Sequence, residues 1–492
     1  MIGKFDVIVI GSGAGGAAAA HRLVEAGRRV LLLEKGDFLP RDGSTLDVQR
    51  VVHAGEFLAR EPWSDGNGRR IVPEEHFNVG GKTKWYGAAL LRFAADEFRA
   101  DPDRAYRAWP FPYEVLESYY EAAERLLGVR RLRVEPDLQS ILTTLERRAP
   151  EWRAQPMPMA LDPRIESDDV EARHFDGFAS VRNLKHDAQL ALLDPLAGAP
   201  NFSLRSGAEV RRLLADPADG TRVVGVQLGD GRIYHATHVI LAAGALHSPR
   251  LLARFVRDEQ LESRVPGAAL IGANLKLHLL TAMVSIGGAR MSDTIRKTAV
   301  LTHGDFPHSS VQPLGFDAEL IATLMPKMLP RTLRNALARR AYGFFLQTED
   351  SSSPLNRVHE ADDAGVTRRV LDYDETRSGD ALAEHRAFSR AFGRALLKTG
   401  RVSFTKRIGI TGTAHACGTL IAGNDPHDSV VAADGRVHGL TGLYVADGSV
   451  LPRSSRVNPS LTIYAWGLRV ADRVAERLRR AAFADGIAEL RS

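Results

Sequence analysis

The residues whose spacing carries most chemistry stand near the front of the chain. Gly11-Ser-Gly13-Ala-Gly-Gly16 meets the pattern Gly-x-Gly-x-x-Gly through Gly11, Gly13 and Gly16. The first glycine permits a tight turn, the second lets a pyrophosphate approach the backbone, and the third lets a helix pack on a strand. Amides at the helix start then face an anion. Glu34 closes the run Arg29-Val-Leu-Leu-Leu33, and a carboxylate there takes the hydroxyls of a ribose. The chemistry is the grip of a dinucleotide. A glycine-rich loop without a cofactor is the plainer alternative.

A second cluster lies far along the chain. His415-Ala-Cys-Gly418-Thr419 precedes Asp425-Pro, then Leu443-Tyr-Val-Ala-Asp447-Gly-Ser449, then Val457-Asn458-Pro459. Asp447 falls at the carboxyl end of a buried strand, Leu443–Ala446, where open α/β sheets place ligand contacts. Asn458 and Pro459 read as the N-cap and first turn of a helix reaching about Leu478. Whether Asn458 is a cap alone or also an active-site amide stays open on these residues.

Elements must carry both clusters. Phe5–Ile10 is an apolar Val/Ile run that reads as a buried parallel strand, and the alanines from Ala17 to Ala20 begin a helix. Val239-Ile-Leu-Ala-Ala-Gly244, followed by Ser248-Pro-Arg-Leu-Leu252, repeats that order and rejoins the first sheet. The dinucleotide domain is therefore discontinuous. Further strands are expected at Phe202–Leu204 and Val223–Leu228, with Gly229-Asp-Gly231 as a hairpin-type turn. Asp37 to Arg70 reads as a loop with one helix around Val48–Leu58. The turn Val79-Gly-Gly-Lys-Thr-Lys-Trp-Tyr-Gly87 suits a backbone pressed against a flat ring, or an ordinary tight turn.

The remaining stretches read as a second region. Trp109-Pro-Phe-Pro112 leads into a helix, Tyr113–Leu127, with Leu116, Tyr120, Ala123 and Leu127 on one stripe and Gly128 as its stop. Asp162 to Asp176 is loop-like. Ala282–Ile286, Tyr342–Leu346 and Thr367–Tyr373 suggest a largely antiparallel sheet, and Asp380–Lys398 a helix burying Leu382, Phe388, Phe392 and Leu396. The basic segment from Met325 to Arg340, with Lys327, Arg331, Arg334, Arg339 and Arg340, reads as a solvated helix face, with a docking patch as the other option.

Composition limits the classes. The 492 residues are 44% apolar and 25% charged, ordinary for a globular chain of two or more domains. A net charge of +5 from 65 basic and 60 acidic residues gives no footprint for nucleic acid, and none is expected as a partner. A single cysteine, Cys417, excludes an internal disulfide framework and fits a reducing compartment. Met1 to Lys4 run straight into the first strand with no secretory signal, and no apolar run reaches the length of a membrane span. A cytoplasmic location follows as the expectation.

These blocks, in this order, resemble the glucose–methanol–choline (GMC) oxidoreductases, flavoenzymes that oxidise alcohols. The likeness rests on the front fingerprint with Glu34, Gly80-Gly81, Trp109-Pro, Ala243-Gly244 before Ser248-Pro249, Gly272-Ala-Asn274-Leu275 with His278, and Asn356-Arg-Val358. It continues through His415-x-x-Gly418-Thr419 and from Tyr444 by Asp447 to Asn458-Pro459. The resemblance implies FAD and an α/β fold: a discontinuous Rossmann-like FAD-binding domain (1–96, 178–280, 408–492), plus a substrate domain (97–177, 281–407) with a mainly antiparallel sheet and flanking helices. It implies cofactor contacts at Gly11, Gly13, Ala14, Gly15, Glu34, Lys35, Gly80, Gly81, Thr83, Val210, Ala243, Gly244, Asp447, Gly448, Asn458, Pro459 and Ser460. No metal is expected.

By the same resemblance His415 is the general base, a task suited to imidazole, and Asn458 fills the second active-site position. A buried histidine satisfied by the backbone is the alternative for His415; His247, His278, His427 and His438 are left as structural. Some relatives link the flavin to a histidine near the double glycine. Here Lys82-Thr-Lys84-Trp85 stands there, so non-covalent FAD is expected, with Lys84 either exposed or in contact with the site. Gly418-Thr-Leu-Ile-Ala-Gly423 departs from the family's usual Gly-Thr-Cys-Arg-Met-Gly. The implied reaction oxidises a hydroxyl of a small-molecule alcohol, a sugar, glycoside or polyol, using oxygen or another electron acceptor. A non-redox enzyme of the same fold, of lyase or photodecarboxylase type, and oxidation of a non-sugar alcohol are the alternatives.

Overall fold

The computed structural model describes residues 5–326, 328–363 and 366–489; Met1 to Lys4 and Lys327, which bear on two of the expectations above, lie outside them. Its organising layer is a parallel sheet. Phe5–Ile10 (β1) and Val30–Leu33 (β2) are nearly continuous runs of Val, Ile and Leu, as strands covered on both faces must be. β1 pairs in parallel with β2 and with Ile233–Leu241 (β4), while β2 pairs in parallel with Phe202–Arg205 (β3). Leu443–Val445 (β5) completes the layer beside β4, again in parallel, so the order is β3-β2-β1-β4-β5. The return of distant segments to the first sheet is borne out.

One strand serves two sheets. The first residues of β4 pair antiparallel with Asp219–Leu228 across the turn at Gly231, and that strand pairs with Val210–Asp216. Val210–Asp216 has no clear signal in the sequence, because Val210, Arg211, Arg212 and Leu213 break the alternation of a half-buried strand.

Ala14–Glu25 (α1) follows β1, and Ser460–Glu489 (α2) follows β5. Their alanines and glycines let them approach closely: a Cβ on Gly467 would lie 2.5 Å from the Gly15 carbonyl oxygen. The first bond inside α2 runs from the Ile463 amide to the Pro459 carbonyl at 3.0 Å. Pro459 is therefore the cap position, one residue later than expected, and Asn458 lies just ahead of it. The helix also extends well past Leu478.

A six-stranded antiparallel sheet forms the second layer, in the order 402–408, 279–286, 341–348, 309–313, 299–303, 152–156. Gly379–Lys398 stands against it with Phe388, Phe392 and Leu396 fully buried among Leu138, Leu145, Trp152 and Phe344. Glu114–Leu126 buries Leu116, Tyr120 and Ala123 on the expected stripe, and Gly128 ends it at φ +60.

Three local expectations need correction. Val366–Asp372 does not join the large antiparallel sheet; it pairs with Arg357–Asp363 and, in parallel, with Trp63–Asp65. That small sheet ties a front segment to a late one across the expected domain division. Around Val48–Leu58 only a π-helical turn forms, Gln49–His53, with none of its residues buried. Asp162–Asp176 is not a plain loop. Asp162 accepts from the Arg164 amide and Asp168 from the Glu171 amide, capping short helices Pro163–Ser167 and Asp169–Arg173, as Asp does at helix starts. In the basic segment, Arg331 at the start of the helix Arg331–Ala338 and Arg339 just after its end are exposed. Among the described residues no helix is long and apolar enough to cross a membrane.

Candidate active site

The carboxyl ends of β1, β2, β4 and β5 open on one cavity of about 440 Å³. Gly11, Gly13, Ala14, Gly15, Glu34, Lys35, Gly81, Thr83, Val210, Ala243, Gly244, Asp447, Gly448, Asn458, Pro459 and Ser460 all line it, and so does His415. Of the expected cofactor residues only Gly80 stands outside. It sits in the left-handed region at φ +88 and its amide donates to Ser12 Oγ at 3.0 Å, which ties the double-glycine turn to the fingerprint loop.

The local sequence builds an anion cradle at one end. The first bond within α1 runs from the Ala17 amide to the Gly13 carbonyl at 2.9 Å, so the amides of Ala14, Gly15 and Gly16 have no intrahelical acceptor. A Cβ at Gly13 would meet nothing within 4 Å; the space that a side chain would fill is open. Glu34 accepts from the Ser12 amide at 3.0 Å and Ser12 Oγ at 2.6 Å with one oxygen, and from the Gly36 amide at 2.9 Å with the other. Burial raises its pKa above the usual carboxylate value. Lys35 lies 4.0 Å over the Phe77 ring and pairs with Glu209 at 3.0 Å. Free amides, an open glycine and a buried carboxylate in this order fit the diphosphate and ribose of FAD.

Asp447 fastens β5 to the loop after β4. Its Oδ2 accepts from the Gly244 amide at 2.9 Å and Ser248 Oγ at 2.5 Å, and its Oδ1 from the Ser449 amide and hydroxyl at 2.9 and 2.5 Å. Both oxygens are thus engaged with the protein, and burial raises the pKa of the group.

At the other end stand His415 and Asn458. Burial drives the His415 pKa well below 6.5, with Lys297 and Lys82 adding positive repulsion, so the imidazole is neutral at neutral pH. Its Nδ1 lies 3.1 Å from His278 Nδ1. Asn458 accepts from Gln312 Nε2 through its Oδ1. Lys297 is paired with Asp176 at 2.9 Å, and Lys82 with Glu75 at 2.5 Å. Phe345 presents its ring to His415 edge-on, centroids 6.5 Å apart.

Sequence reasoning misses several of these residues. His278 reads as structural, yet it touches His415; its only signal is the block from Gly272 that it closes. Lys297, Asp176 and Gln312 come from segments with no pattern of their own, and Phe345 from a strand that is expected at Tyr342–Leu346 without any sign that it reaches the site. Lys84 is neither exposed nor free: it is buried and paired with Asp187 at 2.9 Å.

A parallel sheet whose strand ends hold a dinucleotide cradle, with an antiparallel sheet over the reactive end, defines an FAD-dependent oxidoreductase. An FAD dependent oxidoreductase model matches residues 6–273, and a GMC oxidoreductase model matches residues 358–467. The chain belongs to the GMC oxidoreductases and depends on FAD. It is 29% identical to the 6'''-hydroxyparomomycin C oxidase of Streptomyces lividus, over 96% of this chain and 92% of that one. It is likewise 29% identical to the paromamine 6'-oxidase of Streptomyces fradiae, over 96% and 91%. Among solved structures, pyridoxine 4-oxidase from Mesorbium loti superposes with a TM-score of 0.70 at 18% identity, covering 96% of this chain and 99% of that one, a likeness of fold.

Proposed function

We propose that this chain oxidises a hydroxyl of a sugar or glycoside, an aminoglycoside-like one foremost, to the carbonyl. The alcohol loses its hydroxyl proton to the chain and a hydride from the carbinol carbon. Bound FAD supplies the hydride acceptor. His415 takes the proton on an imidazole nitrogen that faces the cavity, a role open to it because burial keeps the ring neutral. Asn458 donates from its Nδ2 to the substrate oxygen, since its Oδ1 is held by Gln312. That donor orients the hydroxyl and steadies developing alkoxide charge. Amides at the start of α1 hold the diphosphate, and the carboxylate of Glu34 holds the ribose. The cofactor is bound without a covalent link.

The observation that carries this reading is the sharing of one cavity by the fingerprint glycines, His415 and Asn458. The two aminoglycoside-oxidising relatives, similar over nearly their whole length, support the substrate class. The domain division that goes with it assigns 1–96, 178–280 and 408–492 to the cofactor and the rest to the substrate. The test is anaerobic mixing of the purified yellow protein with a panel of aminoglycosides, simple glycosides and polyols. Bleaching of the flavin by the sugars is expected; bleaching only by non-sugar alcohols, or by none, rejects the proposal. Repeating the active cases with oxygen and with a dye decides which acceptor is used.

A further inference from the structure

We propose that His278 fixes which nitrogen of His415 carries the proton, so that Nε2, facing the cavity, is left as the base. The inference rests on His415 being the proton acceptor and says how it is held ready.

The chain of hydrogen bonds has one end that cannot change its role. His278 Nε2 lies 2.7 Å from the Ser455 carbonyl oxygen, and a carbonyl only accepts. His278 must therefore carry its proton on Nε2; a bare nitrogen there would set two lone pairs against each other. His278 is 3% exposed, and burial lowers its pKa, so the ring is neutral and its Nδ1 is bare. The 3.1 Å contact between the two Nδ1 atoms then needs a proton from His415. With its proton on Nδ1, neutral His415 has a lone pair on Nε2. Among the described residues that atom has no hydrogen-bond partner, and its residue lines the cavity. In free imidazole the proton is not so confined; here the second nitrogen's partner decides.

The brace is itself held. His278 and Ser455 both adopt left-handed backbone, φ +65 and +73, which is uncommon away from glycine. Ser455 Oγ donates to Glu97 at 2.7 Å, and the Arg456 amide donates to the same oxygen at 2.7 Å. The Leu277 amide donates to Asp350 at 3.0 Å. The carbonyl that ends the chain is thus immobilised from one side and the histidine from the other. Because a carbonyl cannot relay a proton, the arrangement positions His415 and offers no exit path. Lys82 and Lys297 face His415, and Asp350 and Glu349 face His278; none of these lies in the chain of bonds.

The test reads the tautomer directly. Holoenzyme labelled with nitrogen-15 in histidine, with signals assigned by their loss in His415→Gln, shows which imidazole nitrogens bear protons. The expected result is His415 protonated on Nδ1 and bare on Nε2 at neutral pH; a proton on Nε2 overturns the proposal. Two variants that tolerate left-handed backbone supply a second readout. His278→Gly removes the acceptor and should slow flavin reduction by saturating substrate about 10²-fold or more, with KM little moved, as wrong-tautomer enzymes do. His278→Asn returns an acceptor to the place of Nδ1 and should recover to within about tenfold of the parent. Equal rates for His278→Gly and the parent also overturn it. If His278→Gly fails to fold, the spectrum of the unaltered enzyme still decides. A His415→Gln enzyme reduced at the parental rate would instead sink the base assignment, whatever the tautomer.

Discussion

Gly15, in the first turn of α1, stands so close to Ala446, just beyond β5, that a Cβ on the glycine would lie 1.5 Å from the alanine's carbonyl oxygen. Two segments from opposite ends of the chain are thus pressed backbone to backbone. A methyl group cannot be admitted there without moving β5 or α1. Gly15→Ala is expected to yield protein that unfolds at much lower temperature and loses its flavin on gel filtration. Gly13→Ala has room for its Cβ, but fills the space above the free amides. It should fold with a melting temperature near the parent's while holding FAD less tightly, read by flavin-to-protein absorbance ratio. Equal flavin content in Gly13→Ala and the parent would remove the diphosphate from that place.

His415→Ala should keep its yellow colour and reduce anaerobically about two to four powers of ten more slowly, the usual scale of general-base loss. Stopped-flow absorbance at saturating substrate measures it. A rate unchanged from the parent ends the assignment.

Gln312 and Asn458 form a pair whose outer member sets the direction of the inner amide. Gln312→Leu frees Asn458 to turn its oxygen toward the substrate, and about a tenfold loss in kcat/KM is expected, near the net value of one hydrogen bond. Asn458→Asp places a carboxylate beside developing alkoxide charge and should cost more. If Asn458→Asp were as fast as the parent, Asn458 would have no electrostatic part in the step.

The depressed pKa of His415 fixes the sign of the pH dependence. In the proposed base role the active form is the neutral ring, and an unperturbed histidine would be half protonated near pH ~6.5. Because the folded value lies well below that, the rate of flavin reduction should stay level as pH falls through ~6.5 and drop only in more acid solution. The same burial acts on His247 and His385, whose pKa values are likewise lowered well below 6.5. Below pH ~6.5 the unfolded chain binds protons that these buried rings refuse, so the stability these rings contribute should be level above neutrality and fall as the solution is acidified through that value. Thermal melts of the parent and of His385→Gln across the range measure it; a difference between the two that stays constant toward acid pH would contradict the burial of that ring.

No histidine stands at the turn where some relatives attach the flavin: Lys82 is paired with Glu75, and Lys84 with Asp187. Acid precipitation should therefore leave the yellow colour in the supernatant. Colour retained in the pellet would mean a covalent link.

How much of this is legible in the sequence follows from how local each signal is. β1, the glycine turn, α1, β2 and Glu34 are neighbours along the chain, and their types encode one compact unit. Leu116, Tyr120 and Ala123 announce their helix because its buried stripe repeats at helical spacing. Val402–Ile408 pairs only with a distant strand, so nothing nearby marks it, and although Val210–Asp216 pairs with the strand directly after it, its adjacent arginines hide the alternation that would announce a strand. The cap at Pro459 lies one residue beyond its expected place because Asn-Pro is itself a good cap signal, while the first helical bond chose the proline carbonyl. His278 cannot be told from a core histidine, since its meaning lies in a contact with His415 and a carbonyl at residue 455. Resemblance to a family supplies His415; spacing alone does not.

The position of β5 in the sheet has a consequence for how the molecule is made. During translation the first strands and α1 emerge early, but the neighbour that covers the free edge of β4 follows roughly two hundred residues later, a delay of about 10–40 s at ordinary ribosomal speeds. Throughout that interval the nascent sheet offers an unpaired edge, and the nucleotide cradle lacks Asp447 and the start of α2. Placing the closing strand so far downstream makes flavin capture a late event in the life of the nascent chain.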